Sequence, residues 1–292
     1  MEYEIGQANR LGNRQSNQDR FAAIETDEGV LLVLADGMGG QAGGELAAEA
    51  MVALAYEHYT QAKRPIREPE VFLTTLIRHA HEHIRELGLQ HQPPITPGTT
   101  GVLCLLQQGQ ANWAHVGDSR LYVFRDGLPI YRTRDHSYVE SLYRRGVISR
   151  AEQERHPMRN RITQCIGCQN QNPRIELSRA TTLQEGDVVL LCSDGLWGAL
   201  DDAQIGALLE GDALDEVLDQ MSAQAEQIKY PHSDNISVLA LRLISQDDTG
   251  AWQGEQAQAA PATDSGEQGD PLQSAIDRIE AAIREYEDEL HR

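Results

Sequence analysis

Apolar residues run almost without a break from Gly29 to Asp36 in "GVLLVLAD", the pattern of a strand covered on both faces, and an acid and a cluster of glycines follow in "ADGMGGQAGGE". Next comes "GELAAEAMVALAYEHY", rich in alanine and predicted helical. A second helix is predicted over "PEVFLTTLIRHAHEHIREL", with Phe72, Leu76, Ala80, Ile84 and Leu87 on one stripe. After Pro97 the texture changes. "TTGVLCLLQQGQANWAHVGDSRLYVFRDGLPIYRT" predicts three or four short strands broken at "QQGQ", "GDS" and "RDG", an antiparallel meander. Residues 137–170 are mixed, polar and partly helical, a candidate flap over a site. "GDVVLLCSDGLWG" repeats the earlier order of apolar strand, acid and glycine, helical segments follow near residues 201–228, and "SDNISVLALRLI" supplies a last strand with its acid in front.

The folded domain is expected to span residues 1–245. Residues 246–271 are dominated by Gln, Ala, Gly, Asp and Ser, which predicts a disordered acidic linker. Over 272–292, Leu272, Ile276, Ile279, Ile283, Tyr286 and Leu290 are spaced by fours and threes, as in a coiled-coil seam. Three heptads are short for an independent coil, so this amphipathic helix either binds a partner or a second copy, or docks on its own domain.

A chain of 292 residues with 40% hydrophobic content can bury a full core. No apolar run approaches the roughly 20 residues of a membrane helix, and the start "MEYEIGQANR" has no leader-like shape, so a cytoplasmic protein without membrane insertion is expected. The net charge of −20 argues against a nucleic-acid partner and in favour of cation binding, and the body stays acidic without its tail. Four cysteines do not make a disulfide framework, and reduced thiols are expected; the Cys165/Cys168 pair offers a regulatory disulfide but lacks a second pair for zinc. In "HAHEH", His79 and His83 share a face that reads as solvated. Trp113 and Trp197 read as core or cleft wall. "GMGGQAGGE" lacks the Lys and Ser/Thr of a P-loop.

Asp19 in "NQD", Asp36 in "ADG", Asp194 in "SDG" and Asp234 in "SDN" each stand at or beside the end of an apolar strand. If those strands are neighbours, the carboxylates converge, and they cannot all stay ionised without cations. Oxygen ligands select Mg²⁺ or Mn²⁺, and no His or Cys cluster that would suit zinc is evident. Gly37 lets the backbone offer its carbonyl to such a metal. Two ions about 4 Å apart would activate a water for attack on phosphorus, with Asp36 as the bridging ligand. Arg14, five residues before Asp19, could take phosphate oxygens on its planar fork. Asp126 in "RDG" reads as a plain turn.

The motifs "RQSNQD", "LADGMGG", "GTTG", "AHVGDSRLYVFRDG", "DHSYV", "HPMRNRITQCIG", "LCSDGLWG" and "SDNISVLALRL" come in an order that resembles the metal-dependent type 2C (PPM) serine/threonine phosphatases in their bacterial form, over about residues 1–245. The resemblance implies an α+β fold, a four-layer α-β-β-α sandwich of two antiparallel sheets flanked by helices, with a dinuclear metal site at one end. It implies Asp19, Asp36, Gly37, Asp194 and Asp234 as ligands of two Mn²⁺ or Mg²⁺ ions, and Asp118 with Asp194 as ligands of a third, weaker one. Arg14 would be the phosphate anchor, Asn235 a neighbour that orients the site, and Arg14, Asp36 and Asp194 the catalytic residues. The implied reaction is hydrolysis of phosphoserine and phosphothreonine in proteins by direct attack of a metal-bridging hydroxide, opposing a protein kinase. Two positions depart from the family pattern. Gln18 stands where many relatives have an acid, and Met38 and Gly39 follow "ADG" where animal relatives have a histidine proposed as general acid, so a metal-bound water is expected to protonate the leaving group. A fold-retaining binding module and a two-metal nuclease are the competing readings; the intact acid set speaks against the first and the acidic body against the second.

Overall fold

The computed structural model describes residues 2–38, 41–168, 172–211 and 213–245; the linker and helix expected over 246–292 lie outside the described residues. The elements in chain order are β1 (Glu2–Arg10), β2 (Asp19–Thr26), β3 (Gly29–Met38), α1 (Gln41–Gln61), α2 (Pro69–Gln90), β4 (Gly98–Thr99), β5 (Gly101–Gln107), β6 (Gln110–Val116), β7 (Arg120–Arg125) and β8 (Leu128–Arg132). They continue with α3 (Tyr138–Arg144), α4 (Arg150–Arg155), β9 (Glu176–Leu177), β10 (Thr181–Thr182), β11 (Val188–Cys192), α5 (Asp194–Trp197), α6 (Asp202–Leu208), α7 (Leu214–Lys229) and β12 (Ile236–Ser245). One sheet runs β1-β12-β11-β7-β8. The other runs β10-β6-β5-β3-β2, with β4 on β3 and β9 on β6. Every pairing between named strands is antiparallel.

The unbroken apolar run of β3 divides between two layers at the two-residue period of a strand. Val30, Leu32 and Leu34 meet Leu121, Val123, Val189, Leu191, Leu239 and Leu241 of the facing sheet. Leu31, Val33 and Ala35 point the other way, against α1 and α2. On the far side, Tyr122, Leu190, Val238 and Ala240 are covered by Leu196, Ile205, Leu218 and Met221 of α5, α6 and α7. Four layers follow from this division. Each fully buried leucine contributes roughly 1.5–3 kcal/mol by leaving water, so the strand ends rest on a stiff base.

Three expectations need adjustment. The buried stripe of α2 is Leu73, Leu76, Ile77, Ala80, His81, Ile84 and Gly88, with Phe72 and Leu87 only partly covered, because the helix meets both α1 and the sheet and needs a broader face. The segment predicted as one meander is two hairpins. β5 pairs with β6 in one sheet and β7 with β8 in the other, so "GDS" is a crossing between sheets rather than a turn within one. "RDG" is the expected tight turn, with Asp126 and Gly127 at φ 49° and 68°. Cys165 and Cys168 are joined as a disulfide with Cα atoms 5.9 Å apart, whereas Cys104 and Cys192 are buried free thiols.

Candidate active site

The register of β2 on β3 sets Asp19 directly opposite Asp36, so their side chains share one face at the end of the sheet. Asp36 continues the Val30, Leu32, Leu34 series and therefore faces the space between the sheets. Across that space, the Ser193 amide donates to the Ser237 carbonyl at 3.1 Å and the Ser237 amide to Ser193 Oγ at 3.0 Å, which ties the end of β11 to β12. Asp194 opens α5 just beyond this tie, and Asp234 stands just before β12. Gly195 is required here, since a Cβ would lie 2.0 Å from the Asn235 carbonyl oxygen. Asp118 sits on the crossing between the sheets, buried at 2% exposure.

The carboxylates raise one another. Asp36 is pushed well above the usual carboxylate range, first by burial and then by Asp19, Asp194, Asp118 and Asp234. Burial, then Asp234 and Asp19, lift Asp194 to about 7. Asp19 reaches about 6 through burial, against hydrogen bonds from Ser193 and Ser237. Asp118 is also well above its ordinary value, through burial and then Asp194 and Asp135. Asp19 Oδ2 and Asp118 Oδ1 are buried and have no hydrogen-bond partner among the described residues. Buried carboxylate oxygens left without donors, in a cluster that resists ionisation, suit a hard divalent cation.

The surroundings fix the cluster. Asp36 N–H donates to Thr100 Oγ1 at 3.0 Å, while Thr99 Oγ1 and the Thr100 amide both donate to the Asp36 carbonyl at 2.9 Å. Thr100 Oγ1 lies 2.6 Å from Ser119 Oγ, linking Asp36 to the crossing that carries Asp118. Asn235 Oδ1 accepts from the Gln18 amide at 2.9 Å, and its Nδ2 donates to the carbonyls of Leu11 and Ser16 at 2.9 and 3.1 Å. It thereby holds the loop that presents Arg14 and leads into Asp19. Arg14 Nη2 donates to Asp234 Oδ2 at 2.6 Å, with its side chain 59% exposed. Beside the acids a cleft of about 680 Å³ is lined by Asp194, Asp234, Trp197, Arg132, Arg159 and Lys229. The Trp197 ring supports the Arg120 guanidinium at 3.7 Å from its centroid, and Arg120 holds Asp135 with two bonds of 2.8 and 2.7 Å.

The family model for protein phosphatase 2C matches residues 6–234. The chain belongs to the protein phosphatase 2C family. It is 31% identical over 231 residues to a serine/threonine phosphatase of Listeria innocua, covering 77% of this chain and 90% of that protein. The solved serine/threonine phosphatase of S. agalactiae superposes with a TM-score of 0.76 at 31% identity, covering 82% of this chain and 99% of that one. The catalytic domain of the phosphatase PstP, solved with 2 manganese ions, has a TM-score of 0.69 at 26% identity over 83% of this chain and 99% of that one. Metal dependence is thus a property of the family, and the chain is a serine/threonine protein phosphatase.

All five acids singled out in the sequence come together between the sheets of this 2C phosphatase, with Arg14 and Asn235 at their rim. Gly37 is required for a reason beyond a metal: its Cβ would fall 2.2 Å from the Gly44 carbonyl at the start of α1 and 2.7 Å from that of Gln18. Sequence reasoning assigned no role to Thr99, Thr100, Ser119, Ser193 or Ser237, whose hydroxyls and amides hold the acids; the "GTTG" motif was the signal for the two threonines, and the serines lie in or beside the acid motifs themselves. It also missed a histidine cluster. His115, His136 and Glu176 place ligand atoms within 4.8 Å of one another, which corrects the expectation that no such group exists. The three are far apart in the chain, and only the pairing of β6 with β9 and the return after β8 unite them. His79, expected to be solvated, is exposed and meets His58 at 2.6 Å between ring nitrogens. Trp113 lies in the core between the sheets and Trp197 in the cleft wall.

Among the described residues no helix is long and apolar enough to cross a membrane.

Proposed function

We propose that this phosphatase removes phosphate from phosphoserine and phosphothreonine in proteins with Mg²⁺ or Mn²⁺ held by Asp19, Asp36, Asp194, Asp234 and the Gly37 carbonyl. Asp36, on which the other acids converge, would serve both of the ions bound there, and Asp118 with Asp194 would hold a third. The observation that carries this reading is the in-register opposition of Asp19 and Asp36 with Asp194 and Asp234 facing them from the other sheet. When bound, the ions supply Lewis acidity and an activated water.

The protein's own residues do the rest. Arg14, exposed and planar, exchanges its bond to Asp234 for two phosphate oxygens and orients the ester over the acids. Thr99 and Thr100 keep the Asp36 backbone from shifting as charge develops. Arg120, braced by Asp135 and Trp197, walls the cleft. Met38 carries no proton to donate, and a water made acidic by the ions, when they are bound, would protonate the leaving alkoxide. Residues 137–170 act as the flap that reads the substrate, and Val139, Arg150, Gln153 and Arg159 from this segment line the cleft.

Turnover of a phosphothreonine peptide by the full-length protein tests this: activity with Mn²⁺ or Mg²⁺ and none in chelator is expected, and activity in chelator would refute it. The partners are phosphorylated proteins and a kinase system of the same compartment, taken to be the cytoplasm. Residues 246–271 act as a linker and 272–292 as a tether to a partner or a second copy, raising the effective substrate concentration. Truncation at residue 245 should then leave peptide turnover unchanged while lowering activity on the tethered target or mass in solution; no change in either would remove the tether.

A further inference from the structure

We propose that His115, His136 and Glu176 form a separate site for a borderline divalent transition ion, Zn²⁺ first, that fastens the flap to the sheet. Glu176 of β9 is the register partner of His115 of β6, so their side chains share one face. His136 comes in from the segment ahead of α3, its ring 4.9 Å from that of His115. One ligand atom from each residue lies within 4.8 Å of the other two. The histidines are 3% and 8% exposed, and His115 Nδ1 and His136 Nε2 have no hydrogen-bond partner among the described residues.

The tautomers can be assigned from the neighbours. His115 Nε2–H donates to the Arg134 carbonyl at 2.8 Å, which leaves the Nδ1 lone pair directed inward. Burial keeps both rings neutral, with His136 pushed down to about 4 by burial and then by His115. Glu176 supplies the charge, 3.8 Å from His136 Nε2 and 3.2 Å from Arg174 Nη2. Two imidazoles and one carboxylate suit zinc, with water in the fourth position, and are poor ligands for Mg²⁺. One rearrangement is needed. The Gly117 amide donates to His136 Nδ1 at 3.2 Å, so the neutral ring carries its proton on Nε2. Coordination through Nε2 moves that proton to Nδ1, where it would face the Gly117 N–H, so the ring must also turn away from that amide and give up this long bond.

The position gives the site its consequence. His136 is held at the flap's entry, where its amide donates to the Gly117 carbonyl at 2.8 Å and its carbonyl accepts from the Thr163 amide at 2.7 Å. Glu176 stands where the chain rejoins the sheet. An ion here ties both ends of the flap segment to β6.

Zinc binding by the full-length protein would be measured by equilibrium dialysis in excess Mg²⁺, which holds the oxygen-rich sites without competing for imidazole. Hydrogen exchange of residues 137–168 would be read in parallel. Wild-type protein is expected to retain one equivalent of zinc, Glu176→Gln and His115→Gln to bind at least about tenfold more weakly, and zinc to slow exchange of the flap in wild type alone. Should His115→Gln fail to fold, Glu176→Gln carries the test, since Glu176 is partly exposed. Equal zinc in wild type and folded Glu176→Gln, or none in wild type, overturns the proposal.

Discussion

Asn235→Ala separates the role of the loop from that of the metal acids. Asn235 is 5% exposed and makes three side-chain hydrogen bonds, to the Gln18 amide and the carbonyls of Leu11 and Ser16. Alanine removes all three and leaves a buried amide and two carbonyls without their partner. At about 1 kcal/mol net per bond the loss is about 3 kcal/mol, a large share of the roughly 5–15 kcal/mol that holds a domain together. The loop so freed carries Arg14 and sets the start of β2, hence Asp19. Activity should therefore fall further than unfolding alone explains. Under conditions where the variant is fully folded by circular dichroism, kcat/KM on a phosphothreonine peptide should drop at least about tenfold, equivalent to about 1.4 kcal/mol, and the Mn²⁺ concentration for half-activity should rise. Asn235→Asp should do no better. It keeps the acceptor for Gln18 but turns a carboxylate oxygen toward two carbonyls, beside Asp234. Urea unfolding and steady-state kinetics read the two effects separately. A variant as stable as wild type within about 0.5 kcal/mol and equally active would refute the claim that Asn235 positions the loop.

Two further predictions concern charge. Arg14→Ala breaks an exposed ion pair with Asp234 and should change stability by less than about 1 kcal/mol, yet raise KM for phosphate esters; a Tm loss with unchanged kinetics would assign Arg14 to structure instead. The second is a pH dependence of the metal-free protein. Asp19 and Asp194 are lifted to about 6 and about 7 in the fold, above an unfolded carboxylate near 4. The folded chain thus retains protons that the unfolded chain has already released. Their contribution to stability is greatest below the unfolded pKa and is lost as pH rises through about 4 to about 7. In chelator, Tm should fall between about pH 5 and pH 8, and Mn²⁺ should abolish the decline because it takes the place of those protons. A Tm that rises over this range in chelator would contradict the burial and mutual repulsion of the cluster.

The acids were legible in the sequence because each stands beside an apolar strand, and strands of that length must pack against one another. What brings them together was less so. The opposition of Asp19 and Asp36 depends on the register of β2 on β3, and a shift of one residue would turn one side chain to the other face. The passage of "GDS" from sheet to sheet is invisible locally, since the same residues could close a hairpin. The threonines of "GTTG" look like ordinary strand residues until their hydroxyls are found on the Asp36 backbone. His115 and His136 lie in segments whose local pattern is strand and loop, and nothing nearby in the chain discloses that they meet. The stripe of α2 was misplaced by the same limit: periodicity gives a face, whereas the width of that face depends on what covers it, here both a helix and a sheet.

Asp36→Asn strikes the site at its centre, because it changes one oxygen to nitrogen at the residue on which the other acids converge. Full-length wild type and variant would be compared for Mn²⁺ binding by titration calorimetry and for turnover of a phosphothreonine peptide at saturating Mn²⁺. A folded variant is expected, at least as stable as wild type in chelator since one repelling carboxylate is gone, with weakened metal binding and turnover reduced by at least about a hundredfold. A variant that folds and retains wild-type, metal-dependent turnover would contradict the role of Asp36 in holding the metal.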